Sequence, residues 1–327
     1  MESKEQFEEI EEIEPKISKI ESFIHPSDDE LIELDDKAFI SSNGYPPDGQ
    51  ATGTLSVTVT DQNGRPVRGH RVRFSLTHVR PSGNWRSASG LKRIYNSRGG
   101  NGAKAENLVN RGVIRVIGTL SSSSAVTNSN GIAQVTYRTS HIGTDFNQSS
   151  RAREKVTSTL QNGSSRSLNL DIGWTGLKKI QTVSKGLRII GATGQHVHPD
   201  LRTFLINLGN SVKNANWPHE ITVTAASLRY GGQYPPHFTH KHGLTLDLRP
   251  MSTDGEITWA KSDGSSKSNF DFQRTKALIS VLKQSGGTVY FNGKNTGGTV
   301  KAGHDDHVHV SWLSSFVKVV KEKEITI

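Results

Sequence analysis

The 327-residue chain contains no cysteine. That excludes a disulfide framework, a thiolate metal site and a cysteine nucleophile, while leaving the compartment open. There is no Gly-x-Ser-x-Gly elbow and no His-Glu-x-x-His motif, so neither a serine-hydrolase turn nor the commonest zinc-protease helix is available. No apolar run is long enough to span a bilayer. The opening residues, MESKEQFEEIEEIEPKISKI, lack a basic n-region and an apolar h-region, so they do not read as a secretory signal. Aromatic residues make up only 7 %, and they do not interleave with a basic groove, so no specific nucleic-acid partner is expected.

Charge is plentiful but segregated. Residues 1–45 hold fourteen Asp or Glu against four Lys, a net of −10, which leaves +19 on the remainder of a chain whose total is +9. A basic body suits anionic polymers: cell-wall glycans with teichoic acid, lipopolysaccharide or nucleic acid. The length suits two domains, each with its own core.

Residues 1–45 read as an acidic leader, disordered or used for docking. Phe7, Ile10, Ile13, Ile17 and Ile20 recur at helical spacing, Pro15 interrupts them, and Asp28 to Asp36 reads as an exposed tract. Residues 46–172 read as an all-β sandwich. Leu55, Val57 and Val59 alternate with polar residues, Asp61 to Pro66 supplies a turn, and Val72, Phe74 and Leu76 follow as a second strand. Arg80 to Arg111 reads as a long Gly/Ser/Arg-rich insertion. Ala133, Val135 and Tyr137 alternate after the Asn130-Gly131 turn, and Leu168, Leu170 and Ile172 close the series. The segments SVTVTDQNGRPVRGHRVRFS and TNSNGIAQVTYRTSHIGT resemble the bacterial Ig-like domains of invasin and intimin proteins. That resemblance implies a module that positions a partner domain. Residues 173–186 then read as a linker, 187–313 as a second domain able to fold from near Ser184, and 314–327 as a tail.

Nine of the thirteen histidines fall between His196 and His309, and six of these lie in two short segments, HFTHKHGLTLDLRP and GHDDHVHV. In the first, Asp247 alternates with Leu244, Leu246 and Leu248, a period-two strand that points the carboxylate away from the leucines. In the second, His307 and His309 alternate with Val308 and Val310. If the two strands pair, His240, Asp247 and His309 converge. Two His and one Asp would leave one position of a tetrahedral zinc open to water, the mark of a catalytic site. Spacing alone leaves His307 and His309 open as alternatives for the third ligand. His237 and His242 are expected to be outer or exposed residues, and His196, His198 and His219 to be structural or on the surface.

These residues resemble the LAS group of zinc peptidases, and most nearly the penicillin-insensitive murein endopeptidases. The pattern is His240, Gly243 and Asp247, then Gly303, His304, Asp305, Asp306, His307 and His309. Ile221 to Gly232 looks like the strand and Arg-bearing loop before the first ligand, and Phe270 to Leu282 like the helix between the motifs. Phe238 departs from the Ser of many relatives, and Thr245 from their Ala or Asp. The resemblance implies an α+β domain with a central antiparallel sheet, Zn2+ held by His240, Asp247 and His309, and hydrolysis of an amide in peptidoglycan. Asp306, His307 and His304 are the candidate acid/base groups, and Arg229 is a candidate for a substrate carboxylate. A D,D-carboxypeptidase, an L-alanyl-D-glutamate peptidase, or a non-enzymatic wall-binding or adhesin protein are the alternatives. Because peptidoglycan lies outside the cytoplasm, secretion or delivery to the periplasm or cell envelope is expected, with a secretion-system or immunity protein as a further partner.

Overall fold

The computed structural model describes residues 16–25 (backbone only), 44–147, 150–191 and 193–312. Most of the leader and the whole of the 314–327 tail therefore lie outside the described residues. Among the described residues, no helix is long and apolar enough to cross a membrane.

The first domain is a sandwich of two sheets. One has the order β1 (Lys16–His25), β3 (Thr52–Thr60), β7 (Ile132–Arg138), β5 (Thr119–Leu120). The other runs β2 (Gly44–Tyr45), β9 (Ser165–Ile172), β8 (Ala152–Thr159), β4 (Arg71–Arg80), β6 (Ser124–Val126). The alternating positions Leu55, Val57, Val59, Val72, Phe74, Val135, Tyr137, Val156 and Leu170 meet in one core.

The structure corrects two expectations here. Part of the leader, Lys16–His25, is a strand paired antiparallel with β3. Its isoleucines favour a pleated surface, and the open edge of β3 offers it a ladder that a lone helix of this length would lack. The expected insertion at 80–111 is also not a loop. It holds a 3-10 turn, Gly83–Arg86, and two helices, α1 (Ala88–Ser97) and α2 (Gly102–Asn110). Ser87 caps the first by accepting from Gly90 N at 3.1 Å, and Asn101 the second by accepting from Lys104 N at 2.8 Å. Trp85, Leu91, Ile94, Tyr95 and Ala105 bury themselves in the sandwich core.

The second domain carries a five-stranded sheet in the order β11 (Leu187–Ile189), β13 (Ile221–Ala225), β14 (Thr245–Leu248), β16 (Val308–Ser311), β15 (Thr288–Tyr290). The expected central antiparallel sheet is antiparallel from β13 to β15, and at one edge β11 adds to it parallel to β13. Helix α3 (Pro199–Asn214) provides the crossover that a parallel pair requires. Helix α4 (Phe272–Gln284) joins the same core through Leu278, Ile279 and Leu282. The stretch read as a linker is part of this fold. Leu177 and Ile180 are buried, and β10 (Lys178–Lys179) pairs with β12 (His196–Val197).

The domains meet along a glycine-lined seam. Ile142 forms a β-bridge with Gly232, and Gln233 N donates to the His141 carbonyl at 2.8 Å. Gly232 has φ +81, and a Cβ there would lie 2.5 Å from Gly143 N. Gly232→Ala thus combines left-handed strain with a backbone clash. Wild-type protein should unfold thermally in one transition, and Gly232→Ala should split it into two or lower the midpoint by several degrees; strain of this kind costs about 1–3 kcal/mol.

Glu154 occupies an inward slot of β8 and is fully buried, held by Gly118 N at 3.0 Å and by the Tyr137 hydroxyl at 2.9 Å. Burial pushes its pKa from 4.5 up to about 7. The folded state therefore keeps this proton to higher pH than the unfolded state does, and stability should fall as pH rises from 4.5 to 7. The loss is on the order of 3 kcal/mol and levels off above that window. Glu154→Gln should flatten this dependence and be the more stable protein at pH 8, measured by denaturant unfolding across pH.

Candidate metal centre

The site grows out of strand register. Leu246 and Leu248 of β14 enter the core, so Asp247 between them faces the other side of the sheet. Asp247 stands directly opposite His309 of β16, and His309 Nδ1 lies 2.8 Å from Asp247 Oδ1. His240, on the loop entering β14, donates its Nδ1–H to the Ala226 carbonyl at 2.9 Å. That bond fixes the tautomer and leaves Nε2 bare. His240 Nε2 is buried without a hydrogen-bond partner, 3.2 Å from Asp247 Oδ2. Burial holds the pKa of His240 below the ordinary imidazole value, which keeps it in the neutral form that binds metal. Burial alone would push the Asp247 carboxyl up, but His240, His237 and His309 around it hold it well below the usual carboxylate range.

Two groups of potential metal donors abut at this carboxylate: His237, His240 and Asp247, and His304, His307 and His309. A buried anion, a bare imidazole nitrogen and further imidazoles make a donor set that fits Zn2+. Of the two candidates for the third ligand, His309 touches Asp247, while His307 Nε2 stands 4.0 Å from it. His307 Nδ1 instead lies 2.8 Å from Asp306 Oδ1, and Asp306 is exposed. His304 turns its Nδ1 to the carbonyls of Lys301 and Ala302, each at 3.1 Å. Asn292 braces that loop. Its N donates to the His304 carbonyl, its side-chain amide donates to Asp305, and its side-chain oxygen accepts from Lys301 N. Arg229 is exposed, with its guanidinium 5.1 Å over the neighbouring Tyr230 ring, and it contributes to lowering the pKa of His196.

The sequence reading placed His237 outside the centre, yet its Nδ1 is 3.1 Å from Asp247 Oδ2. The His-x-x-His spacing of 237 and 240 carried that signal. Tyr290 has no such signal; it reaches the site because β15 sets it opposite His309, with its ring 5.8 Å from His304. His242 is exposed beside Trp174, His198 caps α3, and His219 Nε2 is 2.9 Å from the Thr253 carbonyl.

The loop bearing His237 is held from the first domain. Tyr95 of α1 donates to Gln233 Oε1 at 2.9 Å and stacks on Phe238 at 4.6 Å. Phe238 is thus a docking residue. In return Phe146 of the first domain meets Tyr234, which lies 5.2 Å from His237, and Arg98 sits 3.8 Å over Phe146. A fragment starting near Ser184 would lose these supports.

No protein-family model matches the chain, and no curated protein matches it. Among solved structures, the D00-D0 domain of intimin is 19 % identical over 40 % of this chain and 41 % of that one, with a TM-score of 0.23. Invasin, a bacterial integrin-binding protein, is 14 % identical over 54 % of this chain and 24 % of its own, at 0.24. Domains 5-6 of the S-layer protein SbsC are 12 % identical over 92 % and 86 %, at 0.21. The chain thus spans less than half of the intimin chain it matches, and superpositions this loose carry no argument about the site.

Metal content is the direct check. His240→Ala, Asp247→Ala and His309→Ala should each reduce bound zinc from about one per chain to a small fraction, because two remaining ligands hold the ion poorly. His237→Ala should keep most of it. Elemental analysis of purified variants decides.

Proposed function

We propose that the protein is a zinc-dependent peptidoglycan endopeptidase acting in the cell envelope. The observation that carries the reading is the bare, buried Nε2 of His240 beside the Asp247 carboxylate and His309. The motif resemblance to murein endopeptidases supplies the substrate class. Zinc, when bound, would supply a Lewis acid that polarises the scissile carbonyl and activates water.

The chain's own residues handle the protons. Asp306 orients His307 through Nδ1, which leaves Nε2 directed toward the Asp247 side to accept or donate a proton. His304, fixed by two carbonyls, presents its other nitrogen to the same space and can steady charge on a substrate oxygen. Asp306 is thereby a positioning residue rather than the base itself. Tyr234 and Tyr290 wall the centre with rings. Arg229 remains the candidate for a substrate carboxylate at the edge of the same loop.

The second reading is a non-enzymatic wall-binding or adhesin protein whose histidines merely hold a metal. Zinc content and muropeptide release from purified sacculi, measured on one preparation, separate the two. Cleavage with bound zinc supports the peptidase; bound zinc without release supports the binding protein. His307→Ala should retain zinc and lower turnover by about two to four orders of magnitude. Asp306→Asn, acting through His307, should lower it less and shift the pH profile of kcat.

A further inference from the structure

A second built site lies at the far end of the sheet. A cavity of about 480 Å3 opens between the starts of β11 and β13 and the end of α3, lined by Lys185, Arg188, Lys213, Trp217, Glu220 and Gly255 among others. Ile221 is at this end of β13 and Ala225 is beside Asp247 at the other, so roughly 13 Å of strand separates the cavity from the metal centre.

Each wall is positioned. Arg188 Nε donates to Thr222 Oγ1 at 2.8 Å and its Nη2 to the Gly255 carbonyl at 3.1 Å, so the guanidinium plane is fixed while Nη1 remains for a ligand. Trp217 packs half-buried against the core of the domain, which holds its ring as a flat apolar surface. Glu220 accepts from Lys185 N at 2.8 Å. Among the described residues, neither Lys185 nor Lys213 has an acidic group within ion-pair distance.

The decisive feature is Lys185. It occupies the tight turn from Val183 to Leu187 with φ +61, a conformation that glycine or asparagine adopts with less strain. Asn216, the cavity's other left-handed residue, is explained by the end of α3, where its N–H and that of Trp217 close the last turn. At Lys185 the turn, closed by Gly186 N on the Val183 carbonyl and by Lys185 N on Glu220, sets the left-handed backbone, and the residue that fills it is a lysine facing the cavity where glycine or asparagine would carry less strain. A strained lysine, a fixed guanidinium and a third cation around a held indole match one ligand chemistry: an oxyanion carried on a sugar ring.

The geometry points to this cavity as a binding site for a phosphate- or carboxylate-bearing saccharide, independent of the metal centre and of its reaction. Calorimetric titration of the full-length protein with glucose 6-phosphate, glucuronate and unsubstituted glucose tests it. One or both anionic sugars should bind saturably and more weakly as salt rises, and glucose should not; which anion binds tells phosphate from carboxylate. Lys213→Glu and Trp217→Phe should each weaken binding about tenfold, the scale of one charge-assisted contact.

Lys185→Asn gives the sharpest readout, because relief of strain should raise the unfolding midpoint while affinity falls. A lysine with a purely structural role would move both in the same direction. The proposal fails if neither anionic sugar binds, if glucose binds equally well, or if Lys213→Glu and Lys185→Asn, both folded by thermal melt, bind as wild type does.

Discussion

A carboxylate buried in the middle of a sheet is the constraint on which the second domain depends. Asp247 is almost fully inaccessible, on a strand whose neighbouring side chains are all core leucines or buried threonine. A lone charge there would be prohibitively unfavourable, and pairing with three imidazoles, two from the loop before β14 and one from β16, is what makes the position tolerable. Those contacts in turn specify the fold. A slip of one residue between β14 and β16 would swing Asp247 into the leucine core and remove His309 from it, so the register is over-determined. Burial holds the His240 imidazole neutral and the imidazoles around Asp247 hold the carboxylate anionic, which is the protonation state a divalent metal requires of these two groups.

The seam between domains is the second organising element. Each domain lends the other an aromatic side chain, Phe238 going to the sandwich core and Phe146 to Tyr234. Glycines at 143 and 232 let the backbones approach where any Cβ would collide. Such a seam makes the first domain more than a tether. Its helices α1 and α2 form an outer support of the loop that carries His237, so alterations in the sandwich can reach the centre through Tyr95. Specificity for a large substrate would then be shared between domains.

Much of the site was legible because its signals are local. The alternation of leucine with Asp247, and of valine with His307 and His309, announces strands whose polar face holds the chemistry. The sandwich strands were readable on the same basis. Where the reading departed, the missing information was non-local. Lys16–His25 carried apolar residues that fit a helical period, and only the free edge of β3 decided for a strand. The Arg80–Arg111 stretch looked like a loop by composition, yet Trp85, Leu91, Ile94 and Tyr95 found a core to enter. The parallel edge of the sheet follows from a helical crossover, which composition does not encode.

Sequence alone determined the residue types able to hold a metal, their spacing within each segment and the face of the strand on which they lie. These are consequences of covalent geometry and the two-residue repeat of a strand. Tertiary structure decided which histidines meet the carboxylate: His237 and His309 touch it, while His307 turns to Asp306. It also decided that Tyr95 and Phe238, more than a hundred residues apart, should share a stack, and that Lys185 and Lys213 should face one cavity. Those outcomes depend on distances between segments far apart in the chain, which strand pairing and core packing set and no local pattern records.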